Sequence, residues 1–208
     1  MGDPIRVLHV DDEPDFLDLV ATMLEDEIDR ATVERATTAS EALDLLERRV
    51  DCVVSDYEMP GRDGLELLAA VRERYPDLPF ILYTGRGSES IASEAVTAGV
   101  TDYLEKAGGI EQYAVLANRI DQVVERYWAN RYADRARQAI ETAQGGINIL
   151  DADGYIQYVN RACADLLGYE REELVGQHWE TLYRDEDIDE VYDELLPAAR
   201  QGQWQGRT

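Results

Sequence analysis

The chain has 208 residues, 45% of them apolar, which is enough for one or two ordinary domains with buried cores and too many for wholesale disorder. Its 44 acidic against 20 basic side chains leave a formal charge of −24, and with no basic patch to offset it, nucleic acid and anionic membrane surfaces are poor partners. Two cysteines, Cys52 and Cys163, make neither a disulfide framework nor a zinc site, so a reducing interior is the simpler setting.

The MGDPIR start lacks the layout of a signal peptide, and no apolar stretch approaches the roughly 20 residues that span a bilayer, so a cytoplasmic protein that does not enter the membrane is expected. From Ile5 to about Lys106, short apolar runs alternate with helical patterns, the signature of βαβ units and a parallel sheet covered on both faces. Strands are expected at Ile5–Val10, Thr32–Ala36, Cys52–Ser55, Phe80–Tyr83 and Asp102–Leu104. The helices between them are Pro14–Glu27, Glu41–Arg49 with Ser40 as its cap, Gly64–Tyr75 after Asp63, and Glu89–Ala98 closed by Gly99. The fold class is therefore α/β, a doubly wound five-stranded parallel sheet whose ligands bind at the carboxyl ends of the strands.

After Gly108-Gly109 a long helical pattern runs to about Thr142, with Ile110, Tyr113, Ala117, Ile120, Val124 and Tyr127 as a short heptad seam that turns polar at Arg131 and Asp134. Two readings stay open: a fifth helix on the sheet that projects as a solvated spacer, or a dimerising helix. Beyond Gly145-Gly146 the pattern becomes strand-like. Gly146–Leu150 and Tyr155–Val159 flank Asp151-Ala-Asp-Gly154, a hairpin signal; Asn160 then caps a helix ending near Gly168, and helical sequence continues to about Ala199.

Four of the five expected strands end in a side chain with chemistry: Asp11 and Asp12 after the first, Asp56 after the third, Thr84 after the fourth and Lys106 after the fifth. Three carboxylates at one point repel unless a proton or cation intervenes, and an all-oxygen site suits magnesium (Mg2+), which completes its shell with water and a phosphoryl oxygen. Asp56 is then the candidate nucleophile for a phosphoryl group, Asp11 and Asp12 the metal ligands, Lys106 the phosphoryl counter-charge and Thr84 a hydroxyl that bonds the phosphoryl group. Tyr103 is placed to respond by changing rotamer. Lys106 is the only lysine among the 20 basic residues, the other 19 being arginine.

On these residues residues 5 to about 125 resemble a response-regulator receiver domain, flavodoxin-like in fold, through VLHVDDEP (7–14), VVSDYEMPGRDG (53–64), Thr84-Gly85 and DYLEK (102–106). The resemblance implies that Asp11 and Asp12 bind magnesium, that Asp56 accepts phosphate from a histidine kinase, and that Thr84 and Lys106 read the phosphoryl group while Tyr103 switches the face of the fourth helix and fifth strand. It also implies a metal bond from the backbone carbonyl of Glu58, and control of phosphoryl lifetime by Glu58 and Arg86. One departure stands out. Where the family usually has a cis proline after the lysine, this chain has Ala107, so a trans loop positioned by the glycines is expected.

Residues 142–208 resemble the first part of a PAS domain, an α+β sensory and dimerisation fold, through DADG, Asn160, Leu166-Leu167-Gly168-Tyr169 and the acidic segment Asp185–Asp187. Gln203-Trp-Gln could at most begin a third strand, so the hairpin's free edge would be unpaired and the module marginal unless another chain completes it. Cys163 and His178 lie outside the motifs of flavin- and haem-binding relatives, and His9 is expected as a packed strand residue.

The division expected is a receiver domain at 1–125, a linker helix at 126–141 and a partial PAS domain at 142–208, in a two-component phosphorelay protein that is not an enzyme. Its partners would be a histidine kinase and a second copy, through the fourth-helix/fifth-strand face or the linker helix. The lysine-poor, acidic composition also resembles proteins of a halophilic archaeon. Two alternatives remain at this point: an aspartate-nucleophile magnesium phosphatase, for which Glu58 stands where an aspartate is usual, and a non-phosphorylated scaffold.

Overall fold

The computed structural model describes residues 3–85, 89–183 and 188. Arg86, the acidic segment Asp185–Asp187, the helical sequence towards Ala199 and Gln203-Trp-Gln lie outside the described residues. The chain divides into two compact units, residues 1–131 and 132–208.

In the first unit the apolar runs form β1 (Ile5–Val10), β2 (Ala31–Ala36), β3 (Cys52–Ser55), β4 (Phe80–Thr84) and β5 (Asp102–Glu105). They pair in parallel in the order β2-β1-β3-β4-β5. Burial on both faces explains why β3 and β4 are buried at every position. In β1, Ile5 and Val7 join one core with Val20, Leu24, Ile81, Tyr83, Leu116 and Ile120, whereas Leu8 and Val10 join the other with Leu67, Leu68, Phe80 and Leu82. The chain leaves β1 for one side of the sheet and β3 for the other, so the crevice between their carboxyl ends is where a ligand fits.

The covering helices are α1 (Pro14–Glu27), α2 (Ala39–Leu45), α3 (Gly64–Arg74), α4 (Glu89–Thr97) and α5 (Glu111–Thr142). The cap of α2 is Thr38, not Ser40: the helix begins two residues earlier than expected, and the Thr38 hydroxyl accepts the Glu41 N–H at 3.2 Å. Asp63 caps α3 by accepting the N–H groups of Leu65 and Glu66, and the Glu66 carboxylate accepts the Asp63 N–H in return.

The seam of α5 serves this chain's own sheet. Tyr113, Ala117, Ile120 and Val124, with Leu116, are buried in the first core, whereas Ile110 precedes the helix and is 73% exposed. Arg30 pairs with Asp121 and Glu125 at 2.6 Å each, and the Trp128 indole donates to Asp51 Oδ1 at 3.1 Å. Residues 129–139 of the helix are exposed.

The second unit begins with the antiparallel pair β6 (Asn148–Leu150) and β7 (Ile156–Val159), followed by α6 (Arg161–Leu167), α7 (Arg171–Leu174) and a 3-10 turn at Trp179–Leu182. Asp151 closes the hairpin by accepting the N–H groups of Asp153 and Tyr155. Asn160 caps α6 and does more. Its buried amide donates to the Ile140 and Gly145 carbonyls, and its oxygen accepts the Ile147 and Cys163 N–H groups. The outer edge of β7 is not left open as expected, because residues 176–179 run along it, with Ile156 N–H donating to Gln177 O and Gly176 N–H to Ile156 O. A small core of Ile156, Val159, Cys163, Ala164 and Leu174 lies beneath, and Cys163 is a buried small residue there.

Gly64 is required by a close approach. A Cβ there would lie 2.3 Å from the Asp56 carbonyl oxygen and 2.8 Å from a Leu82 methyl. Gly64→Ala must therefore push the loop after β3 aside, and a loss of about 1–3 kcal/mol is expected in urea unfolding; an unchanged midpoint would contradict the packing.

Candidate functional site

Strand pairing carries the candidate residues to one edge. Asp11 directly follows β1 and its N–H donates to Ala36 O, while the Asp56 N–H donates to Val10 O and so extends the β1–β3 ladder. Lys106 follows β5 with its N–H donating to the carbonyl of Thr84 at the end of β4. Carboxylate oxygens of Asp11, Asp12 and Asp56 consequently lie within 4.8 Å of one another. The Lys106 ammonium reaches Asp11 Oδ2 at 2.7 Å and Asp56 Oδ1 at 3.3 Å.

The three acids differ in surroundings. Asp11 is buried, and its other oxygen accepts the Glu13 N–H at 3.0 Å, which turns the chain into α1. Asp12 is exposed. Asp56 is buried, and burial pushes its carboxyl above the ordinary range; nearby Asp11 adds to this, while Lys106 and the Tyr57 N–H pull the other way. An open cavity of about 560 Å³ stands over the cluster, lined by Asp12, Asp56, Glu58, Met59, Pro60 and Asp63 among others. Among the described residues one cation faces three carboxylates, which leaves excess negative charge at a solvent-open, all-oxygen cluster, and that donor set fits a hard divalent cation.

Thr84 is buried at the end of β4, joined to Lys106 by the backbone bond above. Glu58 is exposed on the cavity wall. Tyr103 lies within β5 opposite Leu82, half-buried against the second core. The peptide after Lys106 is trans, as no described residue has a cis bond, and Gly109 takes the positive φ of +98° in the following loop. His9 is a buried strand residue whose pKa burial lowers to about 4, so it is neutral at pH 7. Two residues were not singled out from the sequence: the rings of Phe16 and Tyr83 lie 4.5 and 5.9 Å from the Lys106 ammonium. Only the alternation of β4, which puts Tyr83 on the face of His9, hints at either.

A doubly wound parallel sheet with an acidic pocket and an opposing lysine at its carboxyl edge defines a class of α/β signalling domain. Residues 7–118 match the model of the response regulator receiver domain, more than half of the chain, and the chain belongs to that family; residues 134–206 match the PAS fold. An uncharacterized 14.6 kDa protein in the sodA1 3' region of Leptolyngbya boryana is 46% identical over 103 residues, 48% of this chain and 77% of that protein. A putative NtrX-like response regulator of Rickettsia bellii is 35% identical over 124 residues, 58% of this chain but 26% of that protein, so the matched part spans about a quarter of that relative. Among solved structures, the response regulator TrrA of Thermotoga maritima in complex with Mg(2+)-BeF superposes with a TM-score of 0.50 at 27% identity, covering 57% of this chain and 98% of that one. No helix among the described residues is long and apolar enough to cross a membrane.

The direction of the Asp56 shift has a consequence for stability. Its folded-state pKa lies above its unfolded value of about 3.8, so the folded protein holds this proton longer and loses stability as pH rises through that interval. Asp56→Asn removes the loss. In metal-free buffer the variant is expected to gain on the wild type in urea unfolding between pH 4 and pH 7, and a difference independent of pH would contradict the assignment.

Proposed function

We propose that the chain is a two-component response regulator in which Asp56 takes a phosphoryl group from the phosphohistidine of a histidine kinase. The observation that carries this reading is the Lys106 ammonium set between the buried carboxylates of Asp11 and Asp56, at 2.7 and 3.3 Å. An Asp56 oxygen attacks the phosphorus in line; the P–N bond breaks, its electron pair returns to the imidazole, and an acyl phosphate forms. Lys106 then exchanges a carboxylate for a phosphoryl oxygen, and the Thr84 hydroxyl donates to another. Magnesium, held by Asp11, Asp12, Asp56 and the Glu58 carbonyl, would supply the remaining charge compensation.

The phosphorylated state biases a two-state face that includes Thr84 and Tyr103, and the helix from Glu111 carries that bias towards the PAS module. On this reading 1–125 is the receiver, 126–141 the linker helix and 142–208 the PAS part. The protein works in the cytoplasm as a signalling protein, with self-dephosphorylation its only turnover. Pairing with a second copy would use the fourth-helix/fifth-strand face or the linker helix.

The test is incubation with magnesium and acetyl phosphate. Base-labile phosphate is expected on the wild type and none on Asp56→Asn; label retained by that variant would remove the assignment. Turnover of a phosphomonoester would instead favour a phosphatase, and no label on either protein a scaffold. Magnesium alone should stabilise the wild type, by about 2.7 kcal/mol at a hundred times its Kd. Asp12→Ala should lose most of that gain in thermal unfolding, and an equal gain in the variant would place the ion elsewhere.

A further inference from the structure

The only lysine of the chain sits between acids on one side and aromatic rings on the other. Its ammonium stands 4.5 Å from the centroid of Phe16, in the first turn of α1, and 5.9 Å from that of Tyr83, the residue before Thr84. The two rings are stacked, 6.2 Å between centroids and 25° between planes, and His9 closes the Phe16 side edge-on at 6.0 Å. Tyr83 and His9 are fully buried and Phe16 is half-buried, so water is excluded chiefly on the Tyr83 side.

Such an arrangement answers a particular need. A lysine is a point charge on a flexible four-carbon stem, and one that must serve an incoming phosphoryl group has to be held without spending every N–H donor. One donor already goes to Asp11 at 2.7 Å; a further carbonyl or carboxylate would occupy another, whereas an aromatic face attracts the charge without adding a competing acceptor. The backbone bond from the Lys106 N–H to Thr84 O fixes the base of the stem but not the ammonium, four carbons away. The ring pair is also tied to the long helix. The Tyr83 hydroxyl donates to Gln112 Oε1 at 2.6 Å, and the Gln112 amide donates to Gly109 O at 3.0 Å, within the loop and first turn that start α5.

We propose that Phe16 and Tyr83 form an aromatic cradle that positions the Lys106 ammonium for the phosphoryl group and, through the Tyr83–Gln112 hydrogen bond, links its position to the first turn of α5. The two are positioning residues, and their reactive role rests on the reading of Asp56 as phosphoryl acceptor. The link runs to the start of α5 and is separate from the face that holds Tyr103.

Because Lys106 is the only lysine among these 208 residues, this chain grown with isotope-labelled lysine gives a single side-chain resonance set. Ring currents should displace its Hε signals upfield. Phe16→Leu should abolish most of the displacement and slow phosphorylation by acetyl phosphate about 5-fold, while Phe16→Trp should restore both to within about twofold. Tyr83→Phe keeps the ring and removes the hydroxyl. It should keep the upfield lysine signals but lose the change in amide signals of Glu111–Tyr113 that beryllofluoride with magnesium is expected to produce in the wild type. If the wild type takes phosphate yet Phe16→Leu alters neither the rate nor the lysine signal, the cradle is overturned and the acceptor reading stands. If the wild type takes none while the lysine signal still moves in Phe16→Leu, the hold on the ammonium is supported and the acceptor reading falls. An unchanged α5 response in Tyr83→Phe would overturn the link to the helix.

Discussion

Three carboxylates cannot share a few ångströms of a folded protein unless positive charge is brought among them, and among the described residues the protein's own contribution is the Lys106 ammonium. Much of the first unit can be understood from that constraint. The β1–β3 ladder places Asp11 beside Asp56, and the β4–β5 ladder returns Lys106 from 95 residues further on to meet Asp11. Gly64 lets α3 start against the Asp56 carbonyl, and the Asp63 capping box holds that start in place. The charge left over favours a divalent ion, and burial of Asp56, the main reason its pKa is raised, adds the cost of desolvating a carboxylate to that imbalance.

The sheet was legible because its central strands are buried on both faces and read as unbroken apolar runs, with helical periodicity between them. The chemistry-bearing residues were legible for a related reason: strand ends in a doubly wound fold converge, so residues far apart in the chain share an edge. Local competition blurred the rest. Thr37, Thr38 and Ser40 all offer hydroxyls near the start of α2, and the point at which the chain leaves β2 selects Thr38. The seam of α5 has the same spacing whether it meets a sheet or another helix, and only the buried positions show that it meets the chain's own core up to Val124. The cradle around Lys106 left no periodic trace, since Phe16 and Tyr83 come from separate elements.

In the second unit the same contrast recurs on a smaller scale. The Asp-Gly hairpin and the Asn160 cap could be read from turn and cap chemistry alone. The strand-like pairing of residues 176–179 along β7 could not, because Gly176-Gln177-His178 carries no alternation. Asn160 shows how much one buried amide can organise: it satisfies groups from the end of α5, the following glycine turn, the residue before β6 and α6 together.

Possession of a single lysine also makes this protein unusually addressable by reagents. Every acylating or alkylating agent selective for side-chain primary amines has one destination, and that destination is 19% exposed and lies against Asp11. Acylation of amines, which in most proteins decorates the surface at random, would here neutralise the Lys106 charge beside the clustered acids, so that surface labelling and site inactivation become the same event.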